Sequence, residues 1–128
     1  MALSDDFEIL FLEGLVEKHP NYVDALIALA EVYTAQSLYE KGLTIDKRLA
    51  VLCPDDALVF YNLACSYSLL NHKDLALGSL VKAVKLGYDE WKYMQSDPDL
   101  KNLANEPQFK NLIARLRPKA PRDISKPM

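Results

Sequence analysis

Positive charge is in short supply: 15 lysines and arginines face 18 acids, leaving a net charge of −3. A general nucleic-acid binder carries a basic face, so that class is set aside. Long apolar runs are missing as well. Half of the residues are hydrophobic, yet the longest informative run, Ala25 to Ala30, falls far short of a membrane span. Only two cysteines occur, Cys53 and Cys65, each within an apolar helical pattern. They are expected to be buried, reduced thiols of a cytosolic protein rather than a disulfide or metal pair. The two histidines, His19 and His72, are not at ligand spacing: one closes a helix and the other lies in a turn. A Gly-rich phosphate loop and a His-Glu helix motif are both lacking. Cys65 has no histidine on its own helical face, and a cysteine packed among Ala64, Leu69 and Tyr61 is usually inert. No enzymatic activity, cofactor or metal is therefore expected. The N-terminus opens on acids (Asp5, Asp6, Glu8) rather than a basic region, so no secretory signal is expected and the location is read as cytoplasmic.

What the chain does have is helical periodicity. Its 128 residues fit one domain. Phe60, Leu63, Ala64 and Tyr67 recur at the three- and four-residue spacing of one helix face, and so do Leu75, Ala76, Leu80, Ala83 and Leu86. The short polar stretch Asn71-His72-Lys73-Asp74 between them predicts an antiparallel helical hairpin. Subtracting 34 from the first stripe gives Leu26, Leu29, Ala30 and Tyr33, and the prolines Pro20 and Pro54 keep the same interval. Helices are expected at about 21–35, 38–52, 56–70 and 73–86. A helix–turn–helix unit at a 34-residue period marks a repeat array.

On these residues, 7 to about 88 resemble the tetratricopeptide repeat family, in its small bacterial type. Phe60, Leu63, Ala64, Tyr67, Ala76, Leu80 and Ala83 fill the family's characteristic slots. The earlier unit departs from them at Gly42, Asp46 and Leu49, which predicts a less tightly packed second helix; Gly42 costs about 1 kcal/mol relative to alanine. The resemblance implies an all-α fold, a right-handed α-α superhelix of antiparallel hairpins with helical caps. Residues 7–20 would be a half-unit cap, 21–54 and 55–88 the two repeats, and 89–117 a helical closing segment. Ser4-Asp5-Asp6 is read as an N-cap with acids in the first turn. Phe7, Leu10, Phe11, Gly14 and Leu15 form one face, with Phe11 and Leu15 covering the first hairpin. In the closing segment, Asp97-Pro98 starts one helix and Glu106-Pro107 another, while Trp91, Phe109 and Ile113 cover the last hairpin. From Pro118 onward, three prolines and few apolar groups predict a flexible tail, basic in charge.

In this family the first helices line a concave groove that accepts a peptide or helix of a partner. Carried over by position, the groove would present Asp24, Ile27, Ala28, Glu31 and Thr34 from the first unit. Leu58, Tyr61, Asn62, Cys65 and Leu69 would follow from the second. Asn62 matches the position that fixes a bound peptide's backbone, since an amide donates and accepts together. A carboxylate clamp is not expected: such clamps use two or more basic residues, and here only Lys92 offers a positive charge. The expected function is a protein-interaction module, a scaffold or chaperone-like adaptor, without nucleic acid or membrane. The alternative is a self-associating module, a homodimer through its groove or end helices, because two repeats are fewer than the roughly three usually needed for stability.

Overall fold

The computed structural model describes residues 2–118, with side chains from Asp6 onward. The expected flexible tail therefore lies, from residue 119, outside the described residues. Within them the chain is all-helical: α1 (Ala2–Lys18), α2 (Val23–Ala35), α3 (Tyr39–Leu52), α4 (Ala57–Leu69), α5 (Lys73–Lys85), α6 (Trp91–Ser96), a 3-10 helix (Pro98–Leu103) and α7 (Pro107–Leu116). Each of the first four helices packs on the next in sequence, α4 against α5 most extensively. The 3-10 helix docks on α4, and α7 reaches back to α5 and α6.

The turns show why α2 and α3, like α4 and α5, fold back on each other. Ser37 and Asn71 both adopt left-handed backbone, with φ of 61° and 62°. Each ends its helix with a pair of reverse hydrogen bonds. Ser37 N–H donates to Thr34 and Leu38 N–H to Tyr33 (3.0 and 2.8 Å); Asn71 N–H donates to Ser68 and His72 N–H to Tyr67 (both 2.9 Å). This is the Schellman arrangement, which satisfies the orphan carbonyls of a helix end. The two turns stand 34 residues apart, so the periodicity seen in the side chains is also written in the backbone. Asp56 starts α4 as an N-cap, accepting from the Leu58 and Val59 amides at 3.0 and 3.3 Å.

The core stripes are largely where periodicity puts them. Leu26, Leu29, Ala30, Tyr33, Leu63, Ala64 and Tyr67 are buried, with Phe60 half-buried. Gly42 is buried too, and an added Cβ would stand 3.3 Å from Thr34 Oγ1. Its lack of a side chain thus lets α3 approach α2 closely, which offsets part of its helical cost.

Three expectations are corrected. In α5, Leu75 is 55% exposed and Leu77 takes its place in the core. Leu75 lies about 100° from Ala76 around the helix, on the side away from α4. In α1 the face turned inward is Ile9, Leu12 and Val16, whereas Phe7, Leu10 and Phe11 are exposed. Apolar residues surround α1 on several sides, and the hydroxyl of Tyr33 donates to Glu13, which sets the helix's rotation on α2. The helix also begins at Ala2, so Ser4–Asp6 lie inside it rather than at its cap; Ala2 and Leu3 are strong helix formers that extend it.

The last three helices add to this core. Met94, Leu100, Leu103, Phe109, Leu112 and Ile113 share one buried cluster with Leu63, Leu77 and Leu80, and Trp91 is half-buried against it.

Candidate functional site

A groove of about 490 Å³ runs between α2, α4 and the closing segment. The closing segment, docked on α4 through the 3-10 helix, contributes Asp97 and Asp99 to the same lining as Tyr61 and Cys65 of α4. Ile27, Glu31, Leu58, Tyr61, Asn62, Cys65 and Leu69 all line it. Lys92 does not: its ammonium lies 5.6 Å from the Trp91 ring centre, outside the groove. The neighbouring aromatic face attracts the cation there. Of the other positions expected in the groove, Thr34 lines it while Asp24 and Ala28 are absent from its wall; Ala28 is turned toward the Leu12 cluster under α1.

The lining residues differ in what they offer. Leu58 is 58% exposed and Asn62 is exposed, so both are free to meet a ligand. Tyr61 is only 3% exposed. Its ring stacks on Tyr88 with centres 4.3 Å apart, and its hydroxyl donates to Asp97 Oδ2 at 2.6 Å. Burial first, and then that bond, raise its pKa far above the usual phenol value. Tyr61 is thus a wall of the groove, built into the fold, rather than a free contact residue. An alanine there removes core and costs about 3–5 kcal/mol, so Asn62 and Leu58 are the clean probes of the surface.

Asp97 is the residue that joins the pieces, and starting the 3-10 helix is only half its role. Its Oδ1 does accept from the Asp99 amide at 3.0 Å, capping the 3-10 helix. Its Oδ2 accepts from Tyr61 and, at 3.8 Å, from the Cys65 thiol. Ligand-type atoms of Cys65, Asp97 and Asp99 lie within 4.8 Å of one another. Burial, reinforced by the charges of Asp97 and Asp99, holds the Cys65 thiol well above its usual pKa. The thiol therefore stays protonated at neutral pH and serves as a donor. Burial and the charge of Asp97 also raise the pKa of Asp99.

On the other wall Asp46 is 5% exposed and accepts from the Ser66 hydroxyl. Burial pushes its pKa from 3.8 up to about 6, although the Ser66 bond works the other way. Tyr88, Glu90, Tyr93, Asp97 and Asp99 also line it, and none of them is expected in the groove from sequence. Their only sequence signal is a cluster of tyrosines and acids from Tyr88 onward.

Comparison with known proteins adds one partial likeness. No family model matches the chain. Over 61 residues it is 43% identical to a protein of Arabidopsis thaliana named as chloroplastic, a match that covers 47% of this chain and 18% of that protein. The chain thus aligns with less than a fifth of the relative's length. No helix among the described residues is long and apolar enough to cross a membrane.

Proposed function

We propose that the chain is a non-enzymatic protein-interaction module of the tetratricopeptide type, holding a peptide or helix of a partner in the groove between α2, α4 and the closing segment. The observation that carries this reading is convergence. Eight of the ten residues expected by position within the 34-residue units line one open groove, and their apolar members accompany an exposed amide at Asn62. A concave, mostly apolar wall with a few placed polar groups is the general form of a binding site. The superhelical path of the hairpins and a scaffold or adaptor role belong to the same proposal. So does a cytoplasmic location, for which fractionation of cells is the check, the plant relative being named as chloroplastic.

The test is site-specific photo-crosslinking. A photoreactive side chain at position 62 should capture a partner, whereas the same group at Lys82, on exposed α5 surface, should not. Leu58→Asp should reduce the captured partner at least tenfold, as expected for a residue in a binding centre. Capture from position 82, insensitive to Leu58→Asp, would place binding outside the groove.

A second reading, self-association, is favoured by one feature. Phe7, Leu10 and Phe11 are 68%, 69% and 59% exposed, and the two rings stack with centres 6.4 Å apart. An apolar stripe of that kind marks an interaction face. Light scattering over a range of concentrations, comparing wild type with Phe7→Ser/Phe11→Ser, separates a dimer from a monomer.

A further inference from the structure

The groove has a feature that the family resemblance does not supply: its charge is of one sign. Six carboxylates line it, Glu31, Asp46, Asp56, Glu90, Asp97 and Asp99, and no lysine or arginine among the described residues does. Several of the described cations are engaged elsewhere. Lys41, Lys47 and Lys82 lie over the rings of Tyr33, Tyr67 and Phe60. Lys92 and Arg117 share the Trp91 ring, and Lys73 pairs with Glu106 at 3.8 Å. Two of the groove carboxylates, Asp46 and Asp97, are 5% and 7% exposed, and the hydrogen bonds they accept come from neutral donors: Ser66 for Asp46, and Tyr61, Cys65 and a backbone amide for Asp97. A buried carboxylate held only by neutral donors is poorly compensated, and a concave wall of one sign with low-dielectric flanks focuses its potential into the cleft.

We infer that the groove selects a positively charged peptide segment, with basic side chains directed at the acidic wall and apolar ones resting on Ile27, Leu58 and Leu69. The inference rests on the proposal that the groove binds a peptide at all. The chemistry favours arginine over lysine. Tyr93 is 55% exposed with its ring 6.2 Å from that of Tyr61, beside Asp97 and Asp99 in the same wall. A guanidinium stacks on a tyrosine face and takes carboxylate oxygens two at a time, whereas an ammonium does neither as well. Acidic and carboxylate-terminated ligands meet repulsion from the six carboxylates of the lining and find no cation there among the described residues.

Fluorescence anisotropy with four labelled twelve-residue peptides tests this on the full chain. All four share the same leucine positions, and the remaining positions are arginine, lysine, glutamine or glutamate. The arginine peptide should bind at least tenfold more tightly than the glutamine peptide, with lysine between them and no binding of the glutamate peptide. Its affinity should weaken as salt is raised, since screening over about 8 Å at physiological ionic strength acts on such pairs. Glu31→Gln/Glu90→Gln/Asp99→Asn should bring the arginine-to-glutamine ratio below threefold while the melting midpoint holds. The matched control Glu8→Gln/Glu17→Gln/Glu40→Gln removes three acids outside the groove and should leave the ratio unchanged. An equal loss in that control would reduce the effect to net charge and overturn the inference. Equal binding of the arginine and glutamine peptides, abolished by Leu58→Asp, would keep the groove and overturn its charge selection. Absence of binding by all four peptides would remove the groove reading itself. Finally, Lys119→Gln/Arg122→Gln/Lys126→Gln should leave the affinity for the arginine peptide unchanged. A tenfold gain would assign the groove to the chain's own basic end instead of a partner.

Discussion

Asp46 stands where the second hairpin carries Leu80, so a carboxylate occupies a position whose counterpart is fully buried leucine. Its pKa of about 6 against an ordinary 3.8 means that the folded state holds this proton more tightly than the unfolded chain does. The sign follows directly. The contribution of Asp46 to stability is fully present below about pH 3.8 and is lost as pH rises through about 6. A rise of that size corresponds to about 2–3 kcal/mol. Asp46→Asn keeps an acceptor for the Ser66 hydroxyl and removes the charge. It should raise the melting midpoint at pH 7.5 by the equivalent of about 2 kcal/mol, and the gain over wild type should vanish at about pH 3.5. Calorimetry of both proteins at the two pH values measures it. A variant destabilised at the higher pH would show that the charged carboxylate is needed in that wall.

At the scale of elements, the helices were legible because their signals are local. Capping at Asp56, turns at Ser37 and Asn71, and prolines at the first positions of the 3-10 helix and α7 act within a few residues. The rotation of α1 was not legible in the same way. Phe7, Leu10 and Phe11 satisfy helical spacing as well as Ile9, Leu12 and Val16 do, and only the contact with α2 decides between them. Asp97 shows the same limit for the site: its sequence context reads as a cap, and its bond to Tyr61 spans 36 residues. The closing segment was legible in its apolar residues but not in its contribution to the groove. Through Met94, Leu100 and Leu103, at 0%, 1% and 0% exposure, it supplies fully buried side chains worth about 1.5–3 kcal/mol each. A chain ending at residue 88 should therefore lose helicity or aggregate at concentrations where the full protein stays monomeric, because Leu77, Leu80 and Tyr61 would meet water. Circular dichroism and sedimentation of the shortened chain decide the matter. A monomer with native helicity and an unchanged midpoint would mean that α4 and α5 are complete without the segment.

At the scale of the molecule, the core is unevenly divided. One large cluster joins α4, α5 and the closing segment. The helices before them rest on two smaller groups, one around Leu12, Leu29 and Tyr33 and the other around Leu26, Leu49 and Val59. Of the described α1 side chains only Leu12 is buried, and the helix has α2 as its principal neighbour. Cooperative units with fewer buried contacts open at lower free energy, so native-state hydrogen exchange should rank the elements. Amides of α4 and α5 should exchange slowest, at the rate set by global unfolding. Those of α1 should open at a free energy lower by about 2 kcal/mol or more, the worth of roughly one further buried leucine. The bond from Tyr33 to Glu13 is a polar tie between α1 and α2, and Tyr33→Phe removes it while leaving the ring in place. This change should speed exchange in α1 by about fivefold, corresponding to a net hydrogen bond of about 1 kcal/mol. Exchange in the slowest amides of α4 and α5 should change no more than global stability does. Equal protection of α1 and α4 in the wild type would show that the small N-terminal clusters and the large core unfold as one unit, and that the exposed stripe on α1 belongs to a helix as firmly held as the groove itself.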